Sequence, residues 1–490
     1  MRIVVIGAGL AGMSTAIRLA AEKHEVIIVE KGERVGGKLN FREGNGFHFD
    51  TGPSIITMPW VLEKLFADAG KKLSDYLEIV RVQPEWRAFW EDGSQLDMRA
   101  DLVDMMDTLY RFAPDDADHF LRYLDQARSL YRLTEKGFYR QSIRDLSDLR
   151  KLHSLRELMA MSPMKTVHQT TASYFSNPKI QQLFDFLVMY VGSSPYEAPA
   201  ILTQLAHVQL GLGVWYISGG LYNIARAEER LLHELGATFL MNAKVQRINT
   251  SNGIAKGVTL EDGRVIEADL VVCNLEVTTA WRTLLSEDSS QQEALNKGEK
   301  FSPSVSGLVL LLGLDRTYPQ LAHHNFFFSA DPMKEFHQMF AEGVPADDPT
   351  IYIGVSARTD PTQAPAGKDN LFILTHVPPL KVGDRWEPHR DRYKRLVMDK
   401  LERNGLEGLQ HHVEWSYEFT PDDLYQLYGA NGGSIYGVVS DRKKNGGFKH
   451  SNLSQEVKNL YFVGGSSHPG GGVPMVTLSG ILTANMILGK

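Results

Sequence analysis

Two glycine-rich turns stand at opposite ends of this 490-residue chain, and together they restrict the fold more than any other feature. The first is Arg2-Ile-Val-Val-Ile6 followed by Gly7-Ala8-Gly9-Leu10-Ala11-Gly12. The second is Tyr461-Phe-Val-Gly464-Gly465, running into Pro469-Gly-Gly-Gly472-Val473-Pro474. Turns of this kind let backbone lie against a flat or charged ligand. If both serve one ligand, the chain must leave its first domain and return to it at the end.

Ile3 to Ile6 form a short apolar run, as in a strand buried on both faces of a parallel sheet. Met13, Ala16, Ile17 and Ala20 then recur at helical spacing, and a second apolar run, Val26 to Val29, stops at Glu30. In such a unit Gly7 permits the tight turn, Gly9 lets backbone approach a pyrophosphate, and Gly12 lets the helix sit close on the strand. Glu30 falls roughly 20 residues after the glycines, where a carboxylate can accept hydrogen bonds from a ribose, with Lys31 beside it. Arg34-Val35-Gly36-Gly37-Lys38 follows, either an ordinary turn or a loop folded over the pyrophosphate with Lys38 as a nearby cation. In Phe47-His-Phe-Asp50-Thr-Gly52-Pro53, a strand and sharp turn, Asp50 is expected to hold the loop rather than do chemistry.

These residues resemble the FAD-dependent amine oxidase and phytoene desaturase superfamily. The resemblance implies that FAD is the cofactor, and that Gly7, Ala8, Gly9, Leu10, Ala11, Gly12, Glu30, Lys31, Gly36, Gly37 and Lys38 hold it. The run Asn459 to Pro474 looks like the signature of bacterial-type carotenoid desaturases and oxidases. There Gly464, Gly465, Gly472, Val473 and Pro474 would meet the flavin end, with a helix amino terminus aimed at the ring, where it favours negative charge. Gly219-Gly220 and the strand Ala243 to Ile248 complete the likeness, and the residue matching Val245 contacts adenine through its backbone in that family. The stretches Tyr318 to Phe328, Asp347 to Tyr352 and Ser434 to Asn445 look like members that oxidise the terminal methyl of a C30 carotenoid to the aldehyde. Relatives that desaturate C30 or C40 carotenoids share the flavin motifs and remain the alternative.

Composition agrees with a soluble globular protein: 43% of residues are hydrophobic and 23% charged. The length predicts two or three subdomains. A lone cysteine, Cys273, excludes an internal disulfide and fits a reducing cytoplasm. The motif begins at residue 2, leaving no room for a cleavable signal peptide, and no apolar run reaches the roughly 18 residues of a membrane span. A net charge of −7 argues against nucleic acid as a partner. Arg144, Arg150, Lys151, Arg156 and Lys165 nevertheless cluster among Leu and Met, as does Arg442-Lys443-Lys444 elsewhere. Each cluster reads as a solvated face or as a patch for a membrane surface.

The fold class expected is α/β, with a discontinuous Rossmann-type FAD domain (1–75, 215–300 and 445–490), a mixed-sheet substrate domain (76–100 and 301–444) and a helical, membrane-facing insertion (101–214). Helices are predicted near 120–131, 178–190, 198–210 and 224–235. Strands are predicted at 305–314, 350–355 and 371–376, and the run 264–274 is read as one continuation of the nucleotide sheet.

Because a flavin carries the redox chemistry, the protein need only orient a substrate and exclude side reactions. The resemblance makes that substrate a long apolar carotenoid, which resides in membrane, so the enzyme is expected to sit peripherally on the inner face of the cell membrane. Dioxygen or a quinone would take up the electrons. Hydride loss beside a polyene leaves a delocalised cation; a neighbouring proton loss gives a double bond, whereas at a terminal methyl water would capture it. No metal set is expected, since His323 and His324 are adjacent on a strand and point to opposite faces. His468, inside the second turn, is the candidate proton donor. Two rivals are an amine oxidase and a non-catalytic prenyl-binding protein, because GDP dissociation inhibitors share the superfamily without using a flavin.

Overall fold

The computed structural model describes residues 1–285, 289–298 and 300–490. The apolar runs at both ends of the chain become neighbours in a five-stranded parallel sheet. Its order is Leu460–Phe462, Leu270–Cys273, Arg2–Ile6, Glu25–Val29 and Thr238–Leu240. Ile6 pairs with Cys273 and Val29, and Cys273 pairs with Phe462, so strands from distant stretches of sequence end in register at one edge. Burial of Ile3, Val4 and Val5 on both faces explains why that strand is apolar throughout.

On one face lie the helices Leu10–Ala21, Asn223–Glu234 and Val473–Leu488. The first and last touch closely: the Thr15 hydroxyl donates to the carbonyls of Ala11 (2.8 Å) and Gly480 (3.3 Å). On the other face lies a three-stranded antiparallel sheet, Val245–Ser251, Ile254–Leu260 and Val265–Glu267. The run 264–274 is thus split between two sheets. Asp269 makes the corner: its N–H donates to the Arg2 carbonyl (2.8 Å) and its carboxylate accepts the Arg2 N–H (2.7 Å).

A second, seven-stranded mixed sheet is ordered Val413–Phe419, Ser306–Leu314, Asp369–Val377, Ile351–Gly354, His324–Phe327, Trp86–Phe89 and Gln95–Met98. Its pairings are antiparallel except that between His324–Phe327 and Trp86–Phe89. Strand alternation sorts its side chains. Leu308, Leu310, Leu312, Ile351, Ile353 and Ile373 pack in a core with Val397 and Leu401 of the helix Arg390–Arg403. Val309, Phe326, Tyr352, Phe372, Leu374 and His376 face a cavity.

The helical stretch contains Pro114–Lys136, which buries Phe120, Ala127, Leu130 and Tyr131 as their spacing predicts. Pro178–Phe186 continues as a 3₁₀ turn to Val191. Residues 198–210 are not one helix. Pro199 precedes a 3₁₀ turn, Ala200–Gln204, in which the Thr203 hydroxyl donates to the Ala200 carbonyl, and a wide π turn, His207–Gly211, follows. Apolar spacing alone does not separate these tighter and wider turns from an α-helix.

Candidate cofactor and substrate site

The first strand delivers Gly7 at φ +92°, and the helix that follows starts without a side-chain cap at Gly9. A Cβ on Gly12 would lie 2.3 Å from the Gly7 carbonyl oxygen, so only glycine permits this approach of helix to turn. The last helix starts at Gly472, again without a side-chain cap. Gly472 has φ +101°, and the place a Cβ would occupy is open space. Two helix amino termini, neither capped by the side chain of its own first residue, therefore point toward one region, an arrangement suited to phosphate and to an electron-rich ring.

That region is one continuous cavity of about 1550 Å³. Gly7, Gly9, Leu10, Ala11, Glu30 and Lys31 line it from the first segment, with Gly36, Gly37 and Lys38 from the loop after it. Val245 reaches it from the start of its strand, and Gly464, Gly465, Gly472, Val473 and Pro474 from the end of the chain. Ala8 and Gly12 stand behind this surface. The Ala8 N–H donates to one oxygen of Glu30 (2.8 Å), and the Gly32 N–H donates to the other (2.7 Å). A carboxylate offers about four acceptor positions, so Glu30 is oriented by the backbone of Ala8 and Gly32 and keeps capacity for ribose hydroxyls.

Asn274, which sequence reasoning passed over, joins the two turns. Its Oδ1 accepts the Gly12 N–H (3.1 Å), and its Nδ2 donates to the Val463 carbonyl (3.0 Å). The available signal was the first polar side chain after an apolar strand, where parallel sheets place their sites. Asp50 acts at a third point: it accepts the N–H groups of Leu221 (2.8 Å) and Tyr222 (3.0 Å), fixing the Gly219-Gly220 turn, and burial raises its pKa to about 6. Lys38 is half-buried, and its ammonium donates to the carbonyls of Ser434 (2.8 Å) and Ile435 (3.0 Å). Two of its three donors thus hold protein backbone, and burial lowers its pKa to about 8.

His468 does not face this space. Its ring is fully buried against Phe138, with centroids 4.3 Å apart, and Nε2 donates to the Phe138 carbonyl (2.9 Å). Burial lowers its pKa to about 4, so the neutral ring ties the helical region to the second glycine turn. His323 and His324 are equally occupied, with the Thr359 hydroxyl (2.6 Å) and the Tyr352 hydroxyl (2.7 Å). Among the described residues, no three His, Cys, Asp or Glu side chains are grouped to hold a metal ion.

Lys449 does line the cavity, beside Gly470, and its ammonium donates to the Val438 carbonyl. Burial lowers its pKa to about 7. Between that value and the ordinary 10.5, the unfolded chain binds more protons than the folded one, so this group makes stability rise with pH across that window. Lys449→Met removes the slope. The melting temperature of the variant is expected to be most favourable relative to the parent at pH 6 and to lose that advantage by pH 10; a pH-independent difference would contradict this.

The family model described as flavin containing amine oxidoreductase matches residues 10–488. A 4,4'-diapolycopene oxygenase of Methylomonas sp is 44% identical over 99% of this chain and 98% of its own. A 4,4'-diaponeurosporene oxygenase of Staphylococcus aureus is 41% identical over 99% and 97%. The chain belongs to the flavin-containing amine oxidoreductases. Among solved structures, an oxidoreductase from Methanosarcina mazei superposes with a TM-score of 0.68 over the whole of both chains, at 18% identity, which shows the shared fold.

The protein is an FAD-dependent oxidoreductase, which excludes the non-catalytic prenyl-binding reading. Its residues fit the cofactor: uncapped helix termini, an oriented acid and open space beside Gly472 all occur along one cavity. The volume also exceeds the roughly 300–1,000 Å³ of an ordinary ligand pocket, leaving room for a second long molecule.

Proposed function

We propose that this enzyme oxidises the terminal methyl of a C30 carotenoid, of the 4,4'-diaponeurosporene or 4,4'-diapolycopene type, to the aldehyde. FAD, when bound, would accept two electrons in each of two rounds, methyl to alcohol and alcohol to aldehyde, with water supplying the oxygen atom in the first and dioxygen or a membrane quinone removing the electrons after each. The names of the two oxygenase relatives support the substrate class. The observation that carries the reading is that the cofactor cavity continues into an apolar tunnel whose far lining is exposed to solvent. Leu146, Leu149, Leu155, Leu158, Met159 and Met161 belong to this lining. Leu155 is 77% exposed and Met159 63%, so the tunnel opens among apolar side chains that no protein covers.

Those side chains sit on the helices Leu146–Leu152 and Leu155–Ala160 or, for Met161, just after them, next to Arg150, Arg156 and Lys165, which make no ion pair among the described residues. An apolar mouth rimmed by free cations suits the headgroup region of a membrane. No helix among the described residues is long and apolar enough to cross one. A peripheral enzyme on the inner face of the cell membrane, taking its substrate from the bilayer, accounts for both facts. Of the rival reactions, desaturation uses the same cofactor, whereas an amine substrate would find apolar walls in place of water.

The test is expression beside a C30 carotenoid pathway, with pigments separated by mass. Appearance of a terminal aldehyde is expected. Extra double bonds without oxygen would overturn the reading in favour of a desaturase.

A further inference from the structure

At the seven-stranded sheet the cavity is closed by rings two deep. Phe186, Tyr190, Phe326 and Tyr352 line it. Behind them, Trp86 stacks on Phe326 at 4.9 Å and lies 5.4 Å from Tyr190. Phe328 stacks on Phe326 at 5.7 Å and meets Phe186 at 5.5 Å. Trp86 and Phe328 are fully buried, so no channel continues past the front rings.

This wall is tied to the cofactor cradle by two independent routes, one direct and one through intervening rings. The Ser54 hydroxyl, one residue beyond Gly52-Pro53, donates to the Tyr352 hydroxyl (2.9 Å), whose ring is 5.7 Å from Phe326. The Tyr436 carbonyl lies so close to Gly471 that a Cβ there would be 2.7 Å from it. The Tyr436 ring is 6.0 Å from His376, which is 6.3 Å from Phe186. Two rings, Tyr436 and His376, thus bridge Phe186 of the wall to the glycine turn.

Desaturation and end oxidation make opposite demands on such a tunnel. To remove hydrogens from two adjacent carbons inside a polyene, the chain must extend past the reacting atoms in both directions. To oxidise its end, the chain must stop at them. We infer that Phe186, Tyr190, Phe326 and Tyr352 form a stop that places the terminal methyl at the cofactor and thereby selects end oxidation over desaturation. This inference rests on the proposed carotenoid function and adds its specificity determinant. A flat, fully packed wall admits the narrow open end of a polyene and has no room for a ring there.

The test uses flavin-loaded, full-length protein and two polyenes of equal conjugated length, one with open ends and one closed at both ends by cyclohexenyl rings. Each is titrated without oxygen against the flavin absorbance band. The parent is expected to bind the open chain at least about tenfold more tightly, within the range a shaped apolar pocket achieves. Phe186→Ala opens the wall and is expected to narrow the ratio below about threefold, and to shift cellular products toward internal dehydrogenation. If Phe186→Ala does not accumulate with flavin bound, Phe186→Leu is read by the same ratio. Equal binding of the two polyenes by the parent overturns the inference, as does a flavin-loaded variant that keeps the parental ratio. If the parent binds neither polyene, the proposed function falls and the inference falls with it.

Discussion

Gly12→Val is expected to give folded protein that carries no flavin and has lost at least about a hundredfold of its activity. The conflict is between a Cβ, whose place the backbone fixes, and a backbone oxygen. A Cβ at residue 12 would sit 2.3 Å from the Gly7 carbonyl oxygen, and no rotamer change relieves it. The helix must therefore retreat from the strand, carrying its amino terminus away from the phosphates it is placed to meet. Asn274→Ala makes an informative partner. It leaves both turns free of steric conflict but removes the side chain that bonds the Gly12 N–H and the Val463 carbonyl. Loss of such partly buried hydrogen bonds costs about 1–3 kcal/mol, so flavin should bind about 5- to 150-fold more weakly and still be detectable after dialysis. The ratio of flavin to protein absorbance decides both. A Gly12→Val protein as yellow as the parent would show that the first turn does not hold the cofactor.

The contrast between these two positions also separates what could be read in the sequence from what could not. Gly12 was legible because its reason is local: a strand, a turn and a helix within a few residues, with a spacing set by backbone geometry. Asn274 was not, because its partners are hundreds of residues away and depend on the pairing of Ile6 with Cys273. His468 was misjudged for a related cause. Its place inside the second turn suggested proximity to the ring, but side-chain direction turned it toward Phe138. The strands 306–314, 351–354 and 369–377 were visible as apolar runs, yet which of their side chains would face a tunnel followed only from the sheet's register and its neighbours. The run 264–274 failed for the opposite reason: its apolar pattern is continuous, and the corner at Asp269 is made by a contact with Arg2.

Leu155→Glu/Met159→Glu should uncouple the enzyme from membranes while leaving the folded protein almost untouched. Both side chains are largely exposed, so nothing packed is lost and each change is expected to alter folding stability by no more than about 0.5 kcal/mol. On a bilayer the balance differs. Immersing two large apolar side chains contributes on the order of 3 kcal/mol, and the two new carboxylates meet an anionic leaflet at a further cost of about 1 kcal/mol each. Loss of the apolar part alone lowers partitioning about a hundredfold. Sedimentation with anionic vesicles should show that loss, and raising salt should weaken the parent through Arg150, Arg156 and Lys165 without restoring the variant. Activity provides the sharper discriminant, because these side chains also border the tunnel mouth. With substrate dispersed in detergent the variant should work at nearly the parental rate, and with substrate in vesicles it should be slow. Equal impairment in both assays would mean that the two residues shape the tunnel itself, and undiminished vesicle binding would place the membrane contact on another face.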